Sequence, residues 1–278
     1  MVRTLPSGIY TREYYLHVCG GYEEFLASSV APRLMKALEL GNIQPGMRVL
    51  DVGCGRGELA VKCAEAGCQV WAIDYSAAAL DLSKRFMKNI STDGETRRIA
   101  LQRMSALSLA FPDQSFDRIF LIDVVEHLYP EELAAALAEI GRVTKAGGRL
   151  VIHTAPNAWL IGPIYRIAGL LFRWSKHPFH VNEQSILSLR KSLGTLGGRV
   201  TIAMEKVPGF FTLGVGPAAD HSPHLGRIAH LIDRGFDNKF AALLSGVPGL
   251  KAILGTDIWA TVEVPGEASL NKVRGFRT

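Results

Sequence analysis

The chain has 278 residues, 48% of them hydrophobic and 21% charged, with a net charge of +5 and an isoelectric point near 9.1. That length holds one large α/β domain with small appendages, and that composition excludes a disordered or fibrous chain. Lys and Arg are scattered, as in "SKRFMKN" and "ETRRIA", which argues for a solvated surface over a nucleic-acid-binding stripe.

Cys19, Cys54, Cys63 and Cys68 show no paired metal-ligand spacing. A disulfide framework is out of place in a chain this long, so reduced thiols and a cytoplasmic setting are expected. The start, "MVRTLPSGIYTREYYLHV", lacks the apolar stretch of a signal peptide. No apolar run reaches the length of a membrane span.

In chain order, "EEFLASSVAPRLMKALELGNIQPG" reads as one or two helices ending at Gly41 and a Pro45–Gly46 turn. From Met47 to about Thr154, apolar runs alternate with helical patterns, the signature of βαβ units and a parallel sheet. The strands are "MRVLDVG", "QVWAID", "IALQRM", "FDRIFLID" and "GRLVIHT". The helices between them are "GELAVKCAEAG", "SAAALDLSKRFMKNI" and "YPEELAAALAEIGRVTKAGG". The last opens with Pro130 and two glutamates and is expected to close at Lys145 and Gly147. Further on, "NEQSILSLRKSLGTLGG" is helical, and "RVTIAMEKV" and "TDIWATVEV" alternate as strands. The expected fold is α/β: a Rossmann-like, seven-stranded, mostly parallel sheet with helices on both faces. The expected division is an N-terminal helical cap over 1–45, a core over 46–206, insertions at 156–182 and 208–255, and a final core strand over 256–266.

Behind the first strand, "VLDVGCGRGELA" brings Gly53, Gly55 and Gly57 to the entrance of a helix. Bare backbone there lets a ligand come close and exposes N–H groups at the positive helix end. A mononucleotide, a dinucleotide and a plain tight turn are all open at this point. The dinucleotide fingerprint is G-x-G-x-x-G, whereas here Glu58 occupies the place of the last glycine and adds a charge that repels pyrophosphate. The next strand ends at Asp74, whose carboxylate can accept both hydroxyls of a ribose. A ribosyl cofactor without phosphates suits both features.

The blocks "VLDVGCGRG", "AIDYSAAAL", "LAFPDQSFDRIFLIDVVEHL" and "LAEIGRVTKAGGRLVIHTAPN" together resemble the class I S-adenosylmethionine-dependent methyltransferases over residues 30 to 206. Within the class the sequence looks like the small-molecule branch, with the ubiquinone-pathway, natural-product and glycan-tailoring enzymes. The resemblance implies that Asp51, Gly53 and Gly55 hold the amino-acid end of S-adenosylmethionine, with Gly57 admitting its backbone and Cys54 also among the cofactor-binding residues. It implies that Asp74 binds the ribose, that Tyr75 lies against the adenine, and that Asp123 and Val124 approach the methionine. Ser105 and Ala106 stand where relatives place an acidic and a small residue near the adenine; Ser105 is a departure.

A sulfonium is already activated, so lining up donor and acceptor supplies much of the barrier reduction, about 7–11 kcal/mol in favourable cases. A base adds about 10²–10⁴-fold when the acceptor must lose a proton. His127, in "DVVEHL", is the first candidate for that role, against a structural turn. His180, in "KHPFHVNE", is the second, against loop capping. His153 ends the fifth strand, facing either the cleft or a strand-end partner. No histidine has a partner at metal spacing, and no metal is expected. The stretch "NAWLIGPIYRIAGLLFRWSKHPFH" reads as a lid, an apolar acceptor wall or a membrane-interface helix; Trp159 and Tyr165 belong to it. Tyr14 and Tyr22, ahead of the core, suit the acceptor side, where aromatic faces also attract a sulfonium.

These readings imply a methyltransferase acting on O, N or C of a small, hydrophobic acceptor. They imply a monomer or homodimer with no nucleic-acid partner, and membrane contact only through the apolar stretch. The alternatives are an RNA or protein methyltransferase on the same fold, or a cofactor-binding protein without catalysis.

Overall fold

A computed structural model describes residues 4–27, 29–90, 95–163, 166, 179–205, 207, 227, 230–231, 234–235 and 247–265. The N-terminal segment carries α1 (Arg12–His17), α2 (Tyr22–Leu26) and α3 (Pro32–Gly41). The alternating part follows as β1 (Arg48–Val52), α4 (Glu58–Glu65), β2 (Gln69–Asp74), α5 (Ala77–Ile90) and β3 (Ile99–Arg103). Next come β4 (Phe116–Ile122), α6 (Pro130–Val143) and β5 (Thr144–Thr154). The chain closes with α7 (Ile186–Leu193), β6 (Arg199–Glu205), α8 (Pro248–Leu254) and β7 (Asp257–Glu263).

The seven strands form one sheet in the order β3-β2-β1-β4-β5-β7-β6, as the alternation of patterns predicts. Strands β1 to β5 pair in parallel, and β7 inserts antiparallel between β5 and β6. The order reverses beside β1, so the tips of β1 and β4 diverge and open a crevice there, the usual ligand site of such sheets.

Successive strand residues face opposite sides, and the two cores divide accordingly. Leu50, Ile119, Leu121, Leu150 and Ile152 pack against Leu133, Leu137 and Ile140 of α6 and Leu189 and Leu193 of α7. Val49, Phe120 and Val151 face the other way, onto Leu34 and Ala37 of α3 and Leu59, Ala60 and Cys63 of α4. Strands covered on both sides explain why their sequences are almost continuously apolar.

Helix α6 stops four residues short of the expected end. Its first turn is closed by Glu132, which accepts from the Tyr129 N–H at 2.9 Å. Beyond Val143 the Thr144 hydroxyl donates to the Ile140 carbonyl at 2.5 Å. Strand β5 then begins at Thr144, where the pairing with β4 shifts register. Lys145 therefore serves the sheet rather than the helix end, reaching Asp117 at 2.8 Å. The apolar stretch turns helical at 158–163, and its remainder lies mostly outside the described residues. Among the described residues, no helix is long and apolar enough to cross a membrane. All four cysteines are free.

One buried guanidinium ties the N-terminal segment to the glycine turn. Arg56 pairs with Glu58 (Nε to Oε2, 3.1 Å) and donates to the carbonyls of Tyr15 (2.7 Å), Cys19 (3.3 Å) and Gly20 (2.9 Å). The side chains of Arg56 and Glu58 are 2% and 5% exposed. Breaking a buried pair by removing one partner costs about 3–5 kcal/mol, because the other charge is left behind. Arg56→Met is therefore expected to lower the unfolding free energy by about that much in urea denaturation. The double variant Arg56→Met/Glu58→Leu, which strands no charge, should recover a substantial part of the loss.

Candidate active site

The tips of β1, β2, β4 and β5 and the N-terminal segment enclose a cavity of about 1130 Å³. Single-ligand pockets run to about 1,000 Å³, so this one has room for more than one small molecule. Asp51, Gly53, Cys54, Gly55, Asp74, Tyr75, Ser105, Ala106, Asp123, Val124, His127, His153, His180, Tyr14 and Tyr22 all line it. Trp159 does not; it is 37% exposed on the helical turn at 158–163. Tyr165 lies outside the described residues.

The turn after β1 depends on glycine at Gly53, where φ is +73° and a Cβ would come within 2.5 Å of Val124 Cγ2. Gly57 (φ +86°) faces elsewhere: a Cβ there would meet Ser83 and Met87 of α5 at 3.1–3.2 Å. It packs against α5 and is not among the residues that line the cavity. Glu58 differs too. Its carboxylate is committed to Arg56, so its charge is balanced within the loop, and the repulsion of pyrophosphate read from the sequence is weakened.

Two buried carboxylates flank this turn. Asp74 Oδ2 accepts the Gly55 N–H at 3.1 Å and Oδ1 the Ser76 N–H at 2.8 Å. Each oxygen keeps a second acceptor position. Burial pushes the Asp74 carboxyl up to about 6, against the lowering effect of those N–H groups. Asp51 goes further, to about 7, through burial and then the charges of Asp74 and Glu58. Its Oδ2 is buried with no hydrogen-bond partner. A buried, unpartnered carboxylate oxygen next to a turn that excludes Cβ fits a ligand carrying an ammonium group.

At the tip of β4, Asp123 holds a left-handed φ of +57°, which Asp tolerates better than most residues. Its Oδ2 accepts from Arg33 Nε at 2.7 Å, and its Oδ1 bonds His153 Nδ1. His153 Nε2 reaches Asp257 Oδ2 at 3.0 Å. Burial opposes both charges, but Arg33 and His153 outweigh it and hold the Asp123 carboxyl well below the usual range. Likewise Asp123 and Asp257 overcome the burial of His153 and raise it to about 10. His153 is therefore an imidazolium at neutral pH, clamped between carboxylates and against Trp259, with ring centroids 4.4 Å apart. Strand-end partners, not an acceptor, occupy both of its nitrogens. Nothing in the sequence pairs Arg33 with Asp123; the fold does.

The far wall is aromatic. Tyr10 OH lies 3.1 Å from His127 Nδ1, and the Phe179 carbonyl lies 3.0 Å from the same nitrogen. A carbonyl only accepts, so Nδ1 carries the proton in that bond and Nε2 keeps a lone pair. Tyr14 packs edge-on against Tyr10 and Phe179, each at 5.2 Å. Tyr10 lies outside the expected site residues; its place in a short N-terminal Tyr cluster is the signal that could have found it. Ser105 Oγ is turned to the Leu107 N–H at 3.2 Å, a local turn rather than a replacement for the relatives' acid. Glu126, 2% exposed, accepts from the Thr154 hydroxyl at 2.8 Å. The fold brings one oxygen of Glu126 and one ring nitrogen each of His127 and His180 within 4.8 Å of one another, a convergence that linear spacing does not reveal.

Residues 50–152 match the family described as a methyltransferase domain. The ubiquinone/menaquinone biosynthesis C-methyltransferase of Bordetella avium is 36% identical over 132 residues, 46% of this chain and 49% of that protein. The 2-methyl-6-phytyl-1,4-hydroquinone methyltransferase of Synechocystis is 29% identical over 182 residues, 61% and 52% of the two chains. This chain thus spans about half the length of the curated relatives it matches. Among solved structures, the [4+2]-cyclase SpnF superposes with a TM-score of 0.61 at 17% identity, covering 95% of this chain and 98% of that one. A methyltransferase from Archaeoglobus fulgidus gives 0.53 at 21% identity, covering 83% and 91%. At such identities these two speak for the fold alone. Between the glycine turn and the tip of β5, then, this chain carries a methyltransferase domain on the Rossmann-like class I fold.

Proposed function

We propose that the chain is an S-adenosylmethionine-dependent methyltransferase that passes a methyl group to an O, N or C atom of a small, hydrophobic or lipid-like acceptor. The observation that carries this reading is the buried, unpartnered Asp51 oxygen beside the Gly53 turn, in the cavity that Asp74 also lines. The match to a methyltransferase domain and the quinone-pathway names of the curated relatives support it. When bound, the cofactor supplies an activated methyl group on sulfur.

The protein's part is to bind, orient and keep water out. Asp51 meets the ammonium of the cofactor's amino-acid end, and Asp74 takes the ribose hydroxyls on its remaining acceptor positions. Tyr75, Ser105 and Ala106 border the adenine end. Val124 packs under the glycine turn, while Asp123, bonded to Arg33 and His153, acts by holding the tip of β4 in place. Tyr14, with Tyr10, Leu128, Ile161 and Phe179, offers an apolar wall for the acceptor; Tyr22 lies at the segment's outer end. His127 and His180 sit where the acceptor's reacting atom would be handled. The N-terminal segment acts as the cap, and residues 46–206 with the strand over 256–266 act as the core. Methyl transfer to a panel of acceptors of rising polarity, read as S-adenosylhomocysteine formed, tests the acceptor class. Phenols and prenylated or acylated hydroxy compounds should turn over; turnover confined to sugars, RNA or protein would contradict it.

The titrations of Asp51 and Asp74 give a second prediction. Both pKa values are raised on folding, so these groups destabilise the empty protein as pH rises from about 4 to about 7. A ligand ammonium favours ionised Asp51. Binding should therefore release a proton below about pH 7, and affinity should climb with pH and level off above it. Calorimetry of S-adenosylhomocysteine in buffers of different ionisation enthalpy reads the released proton. In Asp51→Asn the release should shrink to what Asp74 contributes near pH 6. Unchanged proton release in that variant would remove Asp51 from the ammonium site.

A further inference from the structure

We propose that Glu126, His127 and His180 form a binding site for one divalent transition-metal ion at the acceptor end of the cavity. The proposal stands on geometry and does not require the methyltransferase reading. One carboxylate oxygen and two imidazole nitrogens come within 4.8 Å of one another. Three atoms bound at about 2.0–2.2 Å to a tetrahedral ion lie about 3.3–3.6 Å apart, so closing the site takes a side-chain shift of up to about 1.5 Å.

Each donor is already aimed by a neighbour, as ligands in metal sites are. His127 gives its Nδ1 proton to the Phe179 carbonyl at 3.0 Å, which fixes the tautomer in which Nε2 is the acceptor nitrogen of the ring. The Thr154 hydroxyl fixes Glu126 Oε2 at 2.8 Å. His180 is held by the backbone: the N–H groups of Val181 and Asn182, next along the chain, donate to the Glu126 carbonyl at 2.9 and 3.1 Å. The turn after β4 and the loop carrying His180 are thus one unit.

The charge balance points the same way. Glu126 is 2% exposed and makes no ion pair among the described residues. Buried carboxylates are ordinarily paired or bound to metal. His153, the cation that acts on Glu126, is taken by Asp123 and Asp257. Two imidazoles and one carboxylate suit zinc, iron, cobalt or manganese better than magnesium or calcium, which prefer all-oxygen shells. Three protein ligands leave coordination positions open, and because all three residues line the cavity, an acceptor oxygen can occupy one.

The test uses the tag-free chain, stripped with a chelator and titrated with Co²⁺ by visible absorption, then with Zn²⁺ by calorimetry. One ion per chain should bind, with cobalt ligand-field bands, and His180→Ala and Glu126→Gln should each weaken binding by about 10-fold or more. S-adenosylhomocysteine affinity, measured on the same samples, should stay within about twofold. It separates failure of this site from failure of the cofactor reading, and it shows that the variants are folded. No stoichiometric cobalt binding, or binding retained in the double variant, overturns the proposal.

Discussion

A guanidinium sealed from water needs an acceptor for nearly every N–H, and Arg56 finds them on both sides of the cavity. Its neighbours Gly55 and Gly57 belong to the turn that follows β1, while its partners at Tyr15, Cys19 and Gly20 belong to the N-terminal segment. The glycine turn and the segment above it are therefore held as one object. The rest of the site depends on that seam, because it sets Tyr10, Tyr14 and Tyr15 against the strand tips. Arg33 adds a second tie, bonding Gly20 on one side and Asp123 on the other.

Along the sheet edge, charge is arranged in two registers. Beside the glycine turn, Asp51 and Asp74 are carboxylates short of positive partners and held high by burial. A few residues away, Arg33, Asp123, His153 and Asp257 form a chain in which each charge is matched. The matched chain is structural, fixing the tips of β4, β5 and β7 relative to α3. The unmatched pair is where ligand binding can gain most, since a cationic ligand relieves a cost that folding left in place.

The sheet was legible in the sequence because its central strands are buried on both faces, its late strands alternate and its helices have one apolar stripe, so both periods show. Asp51 and Gly53 were legible because they close one short motif at the end of β1, and Asp74 because it ends the next strand. Other features were not, for reasons of distance. Arg56 reads as an ordinary charge until the N-terminal carbonyls arrive around it, and Glu58 then loses the repulsive role its position suggests. His153 reads as either a cleft histidine or a strand-end one until Asp257, from the last strand, meets its second nitrogen. Gly57 shares the motif with Gly53, yet faces α5. His180 meets Glu126 only through the loop that returns after the apolar stretch.

The central claim is that the crevice at the β1 and β4 tips accepts a ribosyl cofactor with an ammonium end and no pyrophosphate. With Glu58 neutralised by Arg56, that selectivity has to come from the shape of the Gly53 turn and from Asp51 and Asp74. Calorimetric titration of the same preparation with S-adenosylhomocysteine and with a nicotinamide dinucleotide decides it. The account predicts saturable binding of the first, lost in Asp74→Ala, and none of the second. Binding of the dinucleotide without S-adenosylhomocysteine would contradict it.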